Sequence, residues 1–94
     1  MNIALKLHYF TSPSCSVCDS LLPKIEALIS QKYPTIEFEV HPIEKQPEIA
    51  AKFGVFTAPV LILTIDDQES ERWVRAFGLV QVEEKLNRIL TLIN

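Results

Sequence analysis

An α/β fold of order β-α-β-α-β-β-α, a four-stranded mixed sheet with helices on both faces, is what this 94-residue sequence predicts. Three observations carry it. Two strand-like runs, Ile3–Phe10 and Thr35–Val40, flank a segment of helical periodicity, and such a unit closes by a right-handed crossover into parallel strands. Two further runs, Pro59–Ile65 and Glu71–Phe77, are joined by a short polar segment and read as an antiparallel hairpin. The chain then carries an apolar stripe at helical spacing, which needs a sheet to cover.

Taken in order, the first strand places Ile3, Leu5, Leu7 and Tyr9 on one side. Thr11-Ser12-Pro13-Ser14 is a turn that ends in helix-capping chemistry. From Cys15 to about Ser30, Val17, Leu21, Ile25 and Leu28, flanked by Leu22 and Ile29, trace an apolar helical face. Pro23 lies inside that helix and removes one hydrogen bond, which predicts a kink; Lys32-Tyr33-Pro34 ends the segment. Thr35–Val40 alternates as a strand with one buried face. Pro47–Phe53 is a short helix with proline in its first turn and Gly54 in the C-terminal capping place. Pro59–Ile65 is nearly continuous in apolar residues, as for a strand covered on both faces. Asp66–Ser70 is a polar turn, and Val82, Leu86, Ile89, Leu90 and Ile93 give a last helix. The length allows a single domain, residues 1–94, with no linker or repeat.

Composition narrows the function. Charged residues make up 22% of the chain, the formal net charge is −3, and the nine basic residues are scattered. No clustered positive face is available for phosphate backbones, so nucleic-acid binding is not expected. The opening Met1-Asn2-Ile3-Ala4-Leu5-Lys6 lacks the pattern of a leader, and no apolar span is long enough for a membrane, so the expected compartment is the cytoplasm. In that reducing setting a lone cysteine pair is catalytic or metal-binding rather than a staple.

The pair is Cys15-Ser16-Val17-Cys18, the only two cysteines, at a strand-to-helix junction. Two thiols three apart on a first helical turn share a face, with Cα atoms about 5–5.5 Å apart, within disulfide range. Free N–H groups and the positive dipole end favour a thiolate there. A purely structural bridge would close a loop of only about four residues and add little. Zinc would require His8 and His41 as further ligands, and neither has a paired ligand spacing, so no metal is expected and both read as ordinary surface or core histidines. Trp73, Phe53 and Phe56 read as packing or rim residues, Thr57 as a turn residue and Asp66-Asp67 as a solvated turn.

With these residues in place, the whole chain resembles the thioredoxin-like superfamily in its minimal, glutaredoxin-sized form. Four landmarks carry the resemblance: Cys15-x-x-Cys18 opening the first helix, Pro23 five residues after the second cysteine, the Gly54-Val55-Phe56-Thr57-Ala58-Pro59 segment, and Gly78 after the last strand. The resemblance implies a thiol–disulfide oxidoreductase in which Cys15 attacks and Cys18 resolves. It implies a cis Ala58–Pro59 bond, substrate binding by Thr57, Ala58, Pro59 and Gly78, and an apolar rim of Pro13, Val17, Phe56, Ala58 and Leu79. It implies no cofactor beyond the Cys15–Cys18 couple. The partners it implies are a protein or low-molecular-weight disulfide and an upstream reductase, with the chain acting as a monomer.

Some positions depart from the family. Ser-Val separates the cysteines instead of Gly-Pro or Pro-Tyr, and Ser14 replaces a tryptophan. Tyr9 stands where thioredoxins carry a buried aspartate, and Val40 where they carry its lysine neighbour. Asp19 puts a negative charge beside the pair, which works against a Cys15 thiolate. Leu79-Val80-Gln81-Val82 lacks the Cys/Ser-Asp pair with which glutaredoxins hold glutathione, so glutathione dependence and a glutathione-bound cluster are not expected. The competing expectation is a binding or redox-sensing module with little turnover.

Overall fold

The computed structural model describes residues 3–93. Met1, Asn2 and Asn94, part of the expected 1–94 domain, lie outside the described residues. The elements run β1 (Leu5–Thr11), α1 (Ser16–Lys32), β2 (Glu37–Pro42), α2 (Pro47–Phe53), β3 (Val60–Ile65), β4 (Gln68–Val74) and α3 (Leu79–Ile93). They build one mixed sheet of order β2-β1-β3-β4, with β1 parallel to β2 and antiparallel to β3, and β3 antiparallel to β4. This is the architecture expected from the sequence.

The two-residue period of the central strands divides the core into two layers. Leu5, Leu7 and Tyr9 of β1 and Leu61 and Leu63 of β3 meet Ile25 and Ile29 of α1 and Val82 and Leu86 of α3. The intervening Phe10, Val60 and Ile62 face the other way, onto Ala50, Ile49 and Phe53 of α2. Both central strands are therefore covered on both sides, and burying side chains of this size stabilises by about 1.5–3 kcal/mol each. Trp73 belongs to the α1–α3 layer, as a packing residue.

Several boundaries differ from the sequence reading, each for a local reason. Ile3 precedes β1 and is exposed, while the strand continues through Thr11 because it pairs with β2 as far as Pro42. Pro42 is tolerated in β2 because that strand is at the sheet edge, where a missing N–H costs no ladder bond. The hairpin turn is shorter than Asp66–Ser70. Asp66 and Asp67 adopt positive φ values of 50° and 67°, the two-residue conformation that matches strand twist, so β4 resumes at Gln68 and ends at Val74 rather than Phe77. Ser70 is then an extra residue in a bulge opposite Leu63 and Thr64. At α3 the helix begins at Leu79, because Gly78 caps it and the Gln81 side chain accepts the Gly78 N–H at 2.8 Å.

Helix α1 runs unbroken through Pro23. Its far end is tied to α3 by an ion pair between Lys32 and Glu83 and by the Tyr33 hydroxyl, which donates to Asn87 at 2.5 Å. Gly54, at φ 68°, closes α2 in the left-handed conformation, and Arg72 of β4 donates to the carbonyl of Phe53 at the same end.

Candidate active site

Cys15 stands between the end of β1 and the start of α1. Its N–H donates to the Ser12 carbonyl at 3.2 Å, and its own backbone is extended, φ −101° and ψ 94°. It is the N-cap of α1: its sulfur accepts the Cys18 N–H at 3.1 Å. The sequence pattern places Cys15 inside the helix and gives capping to the preceding turn. The sulfur takes that role because the Cys15–Cys18 disulfide, with Cα atoms 5.3 Å apart, holds it over the Cys18 amide. The two sulfurs differ in access. Cys15 is half-buried at the surface, whereas Cys18 is 0% exposed, sealed in the α1–α3 layer.

An amide that donates to a capping sulfur in the oxidised state is placed to donate to a thiolate in the reduced one. A charged acceptor strengthens such a bond, and the helix N-terminus adds to it. Beneath the pair, the Tyr9 hydroxyl donates to the Cys18 carbonyl at 3.0 Å. Burial, and secondarily the Asp19 charge, pushes the Tyr9 phenol up to about 12 from an ordinary 10. Tyr9 therefore stays protonated at neutral pH and supplies no base; it acts as a donor that fixes the first turn of α1.

Beside Cys15 lies an open depression of about 470 Å³. One wall is the α1 start, with Cys15 and Val17; the other is the segment before β3, with Phe56, Thr57, Ala58 and Pro59. Ile43, from the chain after β2, lines it as well. Phe56 is 85% exposed, so a full aromatic ring faces solvent at the rim. The Ala58–Pro59 peptide bond is cis. Arg75 braces this wall: its N–H donates to the Pro59 carbonyl at 2.8 Å and its Nε–H to Thr57 Oγ1 at 3.3 Å. Arg75 holds a φ of 62°, in the left-handed region, to make both contacts.

Five residues named from the sequence as site or rim thus meet around Cys15: Val17, Phe56, Thr57, Ala58 and Pro59. Pro13, Gly78 and Leu79 do not line the depression. Gly78 sits at the head of α3, where a Cβ would meet nothing within 4 Å, so no close approach demands a glycine there. Leu79 packs against the α1–α3 layer. Ile43 and Arg75 were missed. Neither stands in a motif, and both reach the site only through the packing of distant segments.

The thioredoxin family model matches residues 3–88. Among curated proteins, the thioredoxin-like protein YdfQ of Bacillus subtilis is 37% identical over 84 residues, covering 89% of this chain and 74% of that protein. The SPbeta prophage-derived thioredoxin-like protein YosR of the same organism is 28% identical, covering 90% of this chain and 99% of that protein. Among solved structures, thioredoxin 1 from Thermosipho africanus superposes with a TM-score of 0.87 at 32% identity, covering 95% of this chain and 98% of the other. Fasciola hepatica thioredoxin superposes with a TM-score of 0.81 at 28% identity, covering 90% and 80%. No helix among the described residues is long and apolar enough to cross a membrane.

Proposed function

The chain belongs to the thioredoxin family, and on that premise we propose that it is a thiol–disulfide oxidoreductase that reduces disulfides in extended protein segments, working in the reducing cytoplasm. The observation that carries this reading is the asymmetry of the pair: a surface sulfur capped by a helix amide, backed by a sealed one. In the reduced protein the Cys15 thiolate attacks a substrate disulfide. A Cys15–substrate bond forms, the substrate S–S bond breaks, and the departing sulfur takes up a proton. The Cys18 thiol then loses its proton and attacks the Cys15 sulfur. The Cys15–Cys18 bond forms and the second substrate thiol leaves, so two electrons have passed to the substrate. An upstream reductase reopens the pair.

Thr57, Ala58 and Pro59 receive the substrate segment, the Ala58 backbone pairing with it as a short added strand. Phe56 and Val17 supply apolar contact at the rim. The test is a disulfide-reduction assay with three proteins. The wild type should turn over; Cys15→Ser should lose activity entirely; Cys18→Ser should accumulate mixed disulfides that name the substrates. Full activity in Cys15→Ser would sink the assignment.

A second reading, a redox-sensing or binding module with little turnover, is favoured by one observation: Tyr9 offers no proton acceptor beneath the pair at neutral pH. Titration of the couple against glutathione and dithiothreitol, read by alkylation, separates the two. A reversible couple near roughly −200 to −270 mV supports exchange, and a pair that never cycles supports the module.

A further inference from the structure

On the α2 side of the sheet, away from the sealed Cys18, His8 of β1 and His41 of β2 are both buried, with His8 Nδ1 and His41 Nε2 2.9 Å apart. Parallel pairing sets Glu39 directly opposite His8, and Glu39 shares a strand face with His41 two residues on. One carboxylate oxygen and one nitrogen from each ring lie within 4.8 Å of one another. We propose that His8, Glu39 and His41 form a binding site for a single divalent transition-metal ion of the zinc class.

The outer hydrogen bonds of the two rings point to this. His41 Nδ1 faces Gln46 Oε1 at 2.6 Å, an acceptor, so its proton sits on Nδ1 and the Nε2 lone pair faces His8. His8 Nε2 faces Thr64 Oγ1 at 3.2 Å, and the Thr64 hydroxyl donates to the Lys6 carbonyl at 3.3 Å. Where that hydroxyl donates to Lys6, it accepts from His8 Nε2–H and His8 Nδ1 is bared as well; where it donates to His8 Nε2 instead, His8 Nδ1–H donates to His41 Nε2. In the first of these arrangements the outer shell leaves both inner nitrogens with free lone pairs, which a cation beside them can take. A ring N–H held by an oxygen acceptor, with the other nitrogen free, is also the usual state of a metal-bound histidine. Without a cation, His8 must protonate Nδ1 and draw the Thr64 proton away from the Lys6 carbonyl.

The dimensions are compatible. Two nitrogens each about 2.0–2.1 Å from a tetrahedral ion stand roughly 3.4 Å apart, so the rings need to part by about half an ångström and turn until both lone pairs converge on an ion set to one side. Lys6 holds Glu39 through Oε1 at 3.1 Å and also holds Glu37, so the other Glu39 oxygen can turn to the ion. Beside the rings is a cavity of about 400 Å³, with Asp67 and Glu69 on its wall against Lys6 and Lys52. It offers an entry path and room for a water as fourth ligand. Two imidazoles and a carboxylate form a donor set that suits zinc and its first-row neighbours over magnesium or calcium.

The test uses the full chain with its disulfide closed, so that the cysteines are unavailable as ligands and the result does not depend on redox turnover. Zinc chloride is titrated by calorimetry at neutral pH, with the imidazole C–H resonances followed by NMR. The expected result is one equivalent bound, with shifts at both His8 and His41. Glu39→Gln keeps the shape of a half-buried side chain, and should weaken binding by at least the ~10-fold that loss of even an outer-shell partner costs. Absence of binding, binding without shifts at both rings, or unchanged affinity in Glu39→Gln overturns the site.

Discussion

At the scale of single residues, Tyr9 separates a structural role from a chemical one. Its hydroxyl holds the Cys18 carbonyl, and its pKa of about 12 keeps it protonated across the range in which thiols exchange. Tyr9→Phe is therefore expected to lower stability by about 1 kcal/mol, the net worth of one buried hydrogen bond. It should leave the pH profile of thiol exchange between about pH 6 and 9 unmoved, since an ordinary thiol titrates inside that window and Tyr9 does not. Urea denaturation and rate-against-pH measurements check the two halves, and a shifted profile would show that Tyr9 takes part in proton transfer. The identity of the residue beneath the pair was legible in the sequence through the resemblance; its partner was not. Nothing local states that a side chain in β1 ends at a carbonyl in α1.

Among the elements, the β3–β4 hairpin shows how a turn sets a strand. Asp66 ties the turn back to the chain just before β1, where its N–H donates to the Ala4 carbonyl at 2.8 Å and its Oδ1 accepts the Ala4 N–H at 2.9 Å. Asp67 holds a φ of 67° and belongs to the same two-residue turn. An L-residue in the left-handed region is strained, and glycine is not. Asp67→Gly should therefore stabilise by about 0.5–1 kcal/mol, raising the melting temperature by a few degrees as read by thermal denaturation. A lower melting temperature would show that the aspartate side chain contributes more than its backbone strain removes. Composition places the turn, and the positive φ values of Asp66 and Asp67 confine it to two residues. Polar residues from Gln68 to Ser70 read as loop, whereas they are the exposed first residues of an edge strand. The start of α1 differs for a similar reason, since capping by Cys15 depends on a hydrogen bond that residue type alone does not announce.

For the whole molecule, acid stability depends on His8, buried in β1 where that strand pairs with β2. Burial, then the nearby His41, lowers the His8 pKa to about 4 from 6.5. The unfolded chain thus binds a proton near pH 6.5 that the folded chain refuses until about pH 4. Stability from neutral His8 is complete above pH 6.5 and falls as the pH drops towards 4, by an amount on the order of a few kcal/mol. Glu39 and Glu69 are held below their usual 4.5 by hydrogen bonds from Lys6 and Arg72, so what they contribute is lost only at lower pH. Urea midpoints measured from about pH 8 to pH 4 should decline through that window, and His8→Gln should flatten the decline. A flat wild-type profile would contradict a buried, neutral His8. The sequence by itself determined the order of elements, the mixed sheet and the Cys15–Cys18 centre, because periodicity and an i, i+3 spacing act within a few residues of chain. Only the tertiary structure decided that His8 meets His41, that Arg75 braces Thr57 and Pro59, and that Gly78 stays outside the groove. Those outcomes depend on strand register and on which face of the sheet each helix covers, and both are settled by packing between segments far apart in the chain.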